Sequence, residues 1–114
     1  MVISKGDILL AQFPFTDLSQ TKLRPAIVLY ISIPKNEVTL CFISSQKLTQ
    51  IGNSEFLLLD SDPDFPSTGL STSSKVRVSR IVTLNHQMTS RRLGRLGISH
   101  MNILNIKLKE IFDI

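Results

Sequence analysis

Residues 24–32 read RPAIVLYIS, and this stretch decides the fold. Positions 26–31 are continuously apolar, which favours a strand buried on both faces of a sheet, because successive strand residues point to opposite faces. Pro25 stands where the strand begins, so its missing N–H costs no ladder hydrogen bond. The stretch therefore predicts a central strand that opens at Arg24.

Shorter β-forming segments on both sides of this strand predict its neighbours in a sheet. Polar, turn-rich segments separate them along the chain. The segment at 75–79 alternates, which turns its two valines inward and turns Lys75, Arg77 and Ser79 to the opposite face. The predicted strands occupy residues 8–13, 37–44, 56–59, 75–79 with a continuation at 81–84, and, as a strand or turn, 92–96.

The C-terminal segment changes to a helical period. Met101, Leu104, Leu108 and Ile111 recur at steps of three and four, which predicts an amphipathic helix capped by Ser99. One such helix packed on a strongly bent antiparallel sheet gives an α+β domain with a small barrel-like core. The length of 114 residues fits a single domain that covers residues 1–114.

Composition excludes several classes of protein. Hydrophobic residues make up 42% of the chain and charged residues 19%, which excludes a disordered, highly charged tail. No apolar run approaches the ~18 residues of a membrane-spanning helix, and the N-terminus shows no secretory signal. The single cysteine, Cys41, excludes an intramolecular disulfide and a multi-cysteine zinc site. We therefore expect a cytoplasmic protein.

Positive charge is concentrated in the second half of the chain. The formal net charge is +4, and residues 65–109 contain no acidic residue. Clustered Lys and Arg attract phosphate groups, but a merely solvated basic face would have the same composition. The cations of this stretch are Lys75, Arg77, Arg80, Arg91, Arg92, Arg95, Lys107 and Lys109.

Few residues suggest acid–base or metal chemistry. His86 and His100 stand apart in the sequence, and we expect both at the surface. Cys41 lies mid-strand, which indicates a buried structural thiol. The aspartates at 60, 62 and 64 lie in a Pro-containing loop that lacks the Gly and Glu of a calcium loop. We therefore predict no metal and no cofactor.

A basic and hydroxyl set remains at the predicted strand ends. Arg24 lies at a loop–strand junction, Ser44, Ser45 and Gln46 follow the third strand, and Arg77 with Ser79 lies on the polar face of the later strand. Each has a simpler interpretation, such as a surface ion pair or a strand terminator. Residue reasoning alone leaves a joint site and these simpler interpretations open.

The sequence resembles the MazF/PemK toxins of bacterial type II toxin–antitoxin pairs over nearly its whole length. The opening matches at GDI (6–8), FPFTDL (13–18) and RPAIVL (24–29). The later matches are ISSQ (43–46), SKVR (74–77), RIVTL (80–84) and RRLGRL (91–96).

The resemblance implies an SH3-like barrel with a C-terminal helix, and a homodimer that pairs near the C-terminal region. It implies sequence-specific, metal-independent cleavage of single-stranded RNA, and neutralisation by a cognate antitoxin laid along the RNA-binding groove. It assigns catalytic positions to Arg24, Ser44 and the adjacent Ser45. RNA contacts are expected from Phe15, Asp17, Gln20, Lys22, Gln46, Lys75, Arg77 and Ser79.

The sequence departs from the family pattern at two places. Some members carry Asp two residues after the arginine that corresponds to Arg77, and this chain has Ser79 there. Some members carry a histidine in the first loop, whereas residues 14–23 of this chain contain none. The general acid and base are therefore unassigned. Two alternatives remain open: a barrel that binds nucleic acid without cutting it, and a gyrase-directed toxin, which relies on a tryptophan that this chain lacks.

Overall fold

Six antiparallel strands form one bent sheet in the order β4-β5-β3-β2-β1-β6, and a C-terminal helix packs against it. The structure is a computed structural model, and it describes residues 2–12 and 22–114. The elements are β1 (Asp7–Gln12), β2 (Leu23–Ser32), β3 (Glu37–Ser44), β4 (Glu55–Leu58), α1 (Phe65–Thr68), β5 (Ser74–Asn85), a 3₁₀ turn (His86–Met88), β6 (Thr89–Arg95) and α2 (Ile98–Phe112).

The central strands are buried on both faces, as the apolar run in β2 predicts. Ile27 belongs to a cluster that includes Leu104 of α2, whereas the next residue, Val28, belongs to a second cluster on the opposite face. Neighbours along β3 divide in the same way, with Cys41 in the first cluster and Leu40 in the second. The strand period of two therefore builds two cores on one sheet.

The predicted α+β fold is confirmed, with one difference in the barrel. The sheet bends strongly, but β4 and β6 stand at its two ends and do not pair within the part of the chain that the structure describes. The sheet is therefore an open, barrel-like structure. Register shifts in the β1–β6, β2–β3 and β3–β5 pairings add local twist and account for the bending.

The turns and helix ends refine the sequence predictions. The turn between β2 and β3 places Asn36 at φ 53°, a left-handed conformation that Asn tolerates better than most residues. The segment between β4 and β5, which includes the predicted loop at 60–64, contains the single-turn helix α1. Helix α2 begins at Ile98 after the N-cap Gly97, so the prediction that Ser99 caps the helix is wrong by two residues.

Two side chains with titratable groups lie in the interior near α2. The prediction that Cys41 is buried is confirmed, and burial raises the pKa of its thiol to about 12. The prediction that His100 lies at the surface is wrong. The start of α2 packs beneath the loop at 60–64, so the imidazole is buried, stacks on Phe56 and approaches the Asp62 carboxylate at 3.3 Å.

No helix in the described ranges 2–12 and 22–114 is both long and apolar enough to cross a lipid bilayer.

Candidate nucleic-acid interface

Strand register brings three of the predicted site residues, Arg24, Ser44 and Lys75, onto one face of the sheet. Ser44 lies opposite Lys75, Phe42 lies opposite Arg77, and Ala26 of β2 lies opposite Phe42. Continuing the β2–β3 register by two residues sets Arg24 opposite Ser44. Because directly opposed residues share a face, Arg24, Ser44 and Lys75 form one row across three strands.

These residues line a cavity of about 340 Å³ at the strand ends, which we call the cationic cleft. Arg24, Ser44 and Arg77 therefore line one cavity, an arrangement that the residue pattern alone left open. Among the described residues, five of the nine lining side chains are Lys or Arg, so the cleft suits a phosphate group. Its lining residues are Arg24, Phe42, Ile43, Ser44, Gln46, Lys47, Lys75, Arg77 and Arg80.

A bulge in β5 adds Arg80 to the cleft. The register steps from Phe42–Arg77 to Cys41–Ile81, so residues 78–80 have no partners on β3. Residues 77 and 80 would face opposite sides of a regular strand. The bulge turns both side chains towards the cationic cleft, where a continuous strand would present only one.

A second cavity of about 200 Å³ adjoins the first, and we call it the hydroxyl cleft. Arg24, Ile43 and Ser44 line both cavities, so they form the wall between them. The remaining lining residues are Pro25, Ser45, Leu70, Ser71, Thr72 and Ser74. Ser45 thus lies on the hydroxyl side of the wall.

Glu55 of β4 is the counter-ion of the cationic cleft. Its carboxylate contacts Lys75 Nζ at 3.3 Å and accepts a hydrogen bond from Arg77 Nε at 3.2 Å. Burial alone would raise the pKa of Glu55, but hydrogen bonds from Gly52 N–H, Lys75 and Arg77, with the charge of Lys75, outweigh it and lower the pKa. Glu55 therefore stays ionised and holds both cations.

Lys75 and Arg77 have different roles in this geometry. Lys75 is buried, and its ammonium also donates to the carbonyls of Lys47 and Gln50, so all its donors are used internally. Arg77 is about a third exposed and bonds Glu55 only through Nε among the described residues. Lys75 therefore holds the loop after β3, whereas Arg77 lines the cleft and its terminal nitrogens bond none of the described residues.

The turn after β3 fixes the Ser44 hydroxyl. Ser44 Oγ accepts a hydrogen bond from Gln46 N–H at 3.1 Å, which sets the direction of the side chain. A hydroxyl that accepts one bond still has its own proton to donate. Ser44 therefore keeps a proton to donate, on the wall that separates the two clefts.

Other predicted contacts lie outside both clefts. Ser79 is exposed, and its hydroxyl shares a hydrogen bond of 3.2 Å with that of Ser54. Lys22 is exposed directly before β2 and lines neither cavity. Their RNA-binding roles stay predictions. The predicted contacts Phe15, Asp17 and Gln20 lie outside the described residues.

Sequence reasoning missed three members of the cationic cleft and its surroundings. Arg80 was visible only as part of the basic stretch, and Lys47 only as a cation directly after the ISSQ segment. Glu55 had a possible signal, because an acidic residue at the start of an apolar strand needs a partner when it is buried.

The bent antiparallel sheet, the C-terminal helix and the cationic cleft define a small α+β domain with a cavity lined by Lys and Arg at its strand ends. A family model described as the PemK-like, MazF-like toxin of type II toxin–antitoxin systems matches residues 4–112. The chain therefore belongs to this toxin family.

Solved structures share the fold. The chain superposes on MazF from Deinococcus radiodurans with a TM-score of 0.74 at 18% identity, covering 100% of this chain and 99% of that one. For the toxin MazF-mt6 of Mycobacterium tuberculosis the TM-score is 0.72 at 22% identity, with 95% and 97% covered. An endoribonuclease from Mycobacterial species, solved in complex with its cognate antitoxin, gives 0.72 at 14% identity, with 99% and 97% covered. No curated protein matches the chain by sequence.

Proposed function

We propose that this chain is the toxin of a type II toxin–antitoxin pair and cleaves single-stranded RNA as a sequence-specific endoribonuclease. The observation that carries the proposal is the meeting of Arg24 and Ser44 in a cleft lined by five cations. Membership of the toxin family supports it, as does the fold shared with a mycobacterial endoribonuclease.

RNA supplies the nucleophile for this reaction. The 2′-oxygen attacks the adjacent phosphorus, the 5′-oxygen leaves with a proton, and the products are a 2′,3′-cyclic phosphate and a 5′-hydroxyl. DNA has no 2′-hydroxyl, so we expect the enzyme to leave DNA intact. The protein has to orient the phosphate and stabilise the charge that develops on it.

The cleft residues divide this work. The planar guanidinium of Arg24 can donate two hydrogen bonds to the non-bridging phosphate oxygens. Ser44, with its hydroxyl oriented by Gln46 N–H, donates to the same phosphate or holds the 2′-hydroxyl in line. Arg77, steadied through Nε by Glu55, binds the flanking phosphate.

Proton transfer is the open step of the mechanism. The described lining of the cationic cleft contains no carboxylate or imidazole that would serve as an ordinary general base. Orientation and charge stabilisation would then carry most of the acceleration. This feature also favours a second candidate, a module that binds RNA in the cleft without cutting it.

A cleavage assay with Arg24→Ala tests the proposal. Purified protein is incubated with labelled single-stranded RNA in EDTA, and we expect cleavage by the wild type. Loss of one such donor costs ~2.7–4 kcal/mol in the barrier, so the variant should cut 10²–10³-fold more slowly. The control is Arg91→Ala, which removes an exposed arginine from β6, beyond β1 on the far side of the sheet.

Three outcomes have distinct meanings. Cleavage lost in Arg24→Ala and kept in Arg91→Ala supports the mechanism. Full cleavage by Arg24→Ala contradicts it. If the wild type binds RNA and leaves it intact, the protein is a binding module and not an enzyme.

The proposed partners follow from charge and from exposed apolar surface. An acidic segment of a cognate antitoxin would complement the cationic cleft and compete with RNA there. A second copy of the chain would cover exposed apolar side chains of α2, such as Ile106 and Phe112. We place the toxin and its antitoxin in the cytoplasm, where the RNA substrate is found.

A further inference from the structure

We propose that the hydroxyl cleft is a subsite for one nucleobase, that of a nucleotide flanking the cleaved bond. This inference rests on the proposed function. It assigns part of the sequence preference to Ser71 and Thr72, in the segment between α1 and β5.

The two clefts differ in chemistry. The cationic cleft has five Lys or Arg side chains, whereas Arg24 on the shared wall is the only charged residue that lines the hydroxyl cleft within the described chain. Pro25, Ile43 and Leu70 give the hydroxyl cleft an apolar side. A cavity with a single cation at one wall and apolar and hydroxyl groups on the others suits a flat, polar-edged base better than a second phosphate.

The four hydroxyls at 71–74 divide into two pairs. Ser73 Oγ accepts from Asp60 N–H at 2.8 Å and Ser74 Oγ donates to the carbonyl of Thr72 at 3.0 Å, so both fix the chain. The hydroxyls of Ser71 and Thr72, and that of Ser45 across the cleft, make no hydrogen bond within the described residues. Each can therefore donate to or accept from the edge of a base.

The shared wall determines which base is bound. Arg24 and Ser44 line both clefts, so a phosphate held by these two residues lies directly beside the hydroxyl cleft. A base further along the RNA would lie too far from this wall to enter the hydroxyl cleft. The occupant is therefore a base of a nucleotide joined by the phosphate that Arg24 binds.

The experiment measures base preference with and without the two free hydroxyls. Cleavage sites are mapped on a random single-stranded RNA library, and binding is measured by fluorescence anisotropy with 2′-O-methyl oligonucleotides that differ in one base. The test variant is Ser71→Ala/Thr72→Val. The matched control is Ser61→Ala, which removes an exposed hydroxyl that lines neither cleft and makes no hydrogen bond among the described residues, and Thr72→Ser retains a hydroxyl. Thermal melts verify that each variant is folded.

We expect the double variant to lose about tenfold of its discrimination at one base beside the cleaved bond, the effect of two neutral hydrogen bonds. Preference at other positions, and preference in Ser61→Ala and Thr72→Ser, should stay as in the wild type. If the double variant prefers the same bases as the wild type, the subsite proposal is overturned. RNA cleavage in that experiment would still support the proposed endoribonuclease function. Base-selective binding without cleavage, lost in the double variant, supports the subsite and overturns the enzyme. No binding of any oligonucleotide overturns both.

Discussion

At the scale of single residues, Ser44 has the most constrained position in the proposed site. It lies opposite Lys75, lines both clefts, and has its Oγ fixed by Gln46 N–H. In the proposed mechanism its remaining proton is donated to a phosphate that gains charge as the reaction proceeds, and such a contribution belongs to the transition state more than to substrate binding.

We therefore expect Ser44→Ala to lower kcat by roughly 10- to 100-fold with little change in KM, less than an enclosed oxyanion-hole donor because the cleft is open to solvent. Steady-state kinetics on a short RNA measure both constants. Ser90→Ala, at an exposed position of β6, is the control. A raised KM with unchanged kcat would make Ser44 a substrate-binding residue only.

At the scale of elements, Glu55 connects β4, β5 and the loop after β3. It accepts from Gly52 N–H at 3.0 Å and contacts both Lys75 and Arg77, while Lys75 in turn donates to two carbonyls of the 47–50 turn. The same network that steadies Arg77 thus fixes the loop that supplies Lys47 to the cationic cleft.

The network predicts a specific dependence of stability on pH. Because the folded-state pKa of Glu55 is lowered, its stabilisation is present above the unfolded pKa of about 4.3 and is lost as the pH falls through the folded value. Glu55→Gln should lower the free energy of unfolding at neutral pH by roughly 1–3 kcal/mol. Urea unfolding between about pH 7 and 3 should show a flatter pH profile for this variant than for the wild type.

The control for this change is Glu110→Gln, which alters an exposed glutamate of α2 by the same atoms. We expect its pH profile to follow that of the wild type. Parallel profiles for Glu55→Gln and the wild type would mean that Glu55 contributes no linked proton binding.

The sequence predicted elements well and failed where the backbone departs from regularity. The apolar run at 26–31 and the alternation at 75–79 require strands, so they identify β2 and the start of β5. The bulge at 78–80 has no such signal, and it decides that Arg77 and Arg80 share a cleft.

Partner choice is a further limit on prediction from sequence. A lysine on a polar strand face indicates a solvent or phosphate contact, whereas the ammonium of Lys75 is used by Glu55 and two backbone carbonyls. His100 shows the same limit, because its burial depends on how the loop at 60–64 packs over the start of α2. Such contacts depend on tertiary packing, which residue patterns do not encode locally.

At the scale of the whole molecule, α2 and the turn between β2 and β3 are two of the places where apolar side chains remain exposed. Ile106 and Phe112 of α2 are 55% and 54% exposed, and Ile33 in the turn between β2 and β3 is 85% exposed. The turn borders a cavity of about 290 Å³ with apolar walls that include Val2 and Ile31. Where exposed apolar side chains form a contiguous patch, the patch is typical of protein–protein interfaces.

We expect a homodimer that covers the α2 surface, and two matched substitutions test its position. Ile106→Glu places a charge in the proposed interface, so sedimentation velocity at micromolar concentration should show a monomer where the wild type shows a dimer. Ile33→Glu adds the same charge at the other apolar surface and should leave the dimer intact. The reverse pattern would move the interface to the β2–β3 turn. If the wild type sediments only as a monomer, the prediction of a homodimer is wrong. Each chain would then have only its own two clefts for the proposed RNA binding.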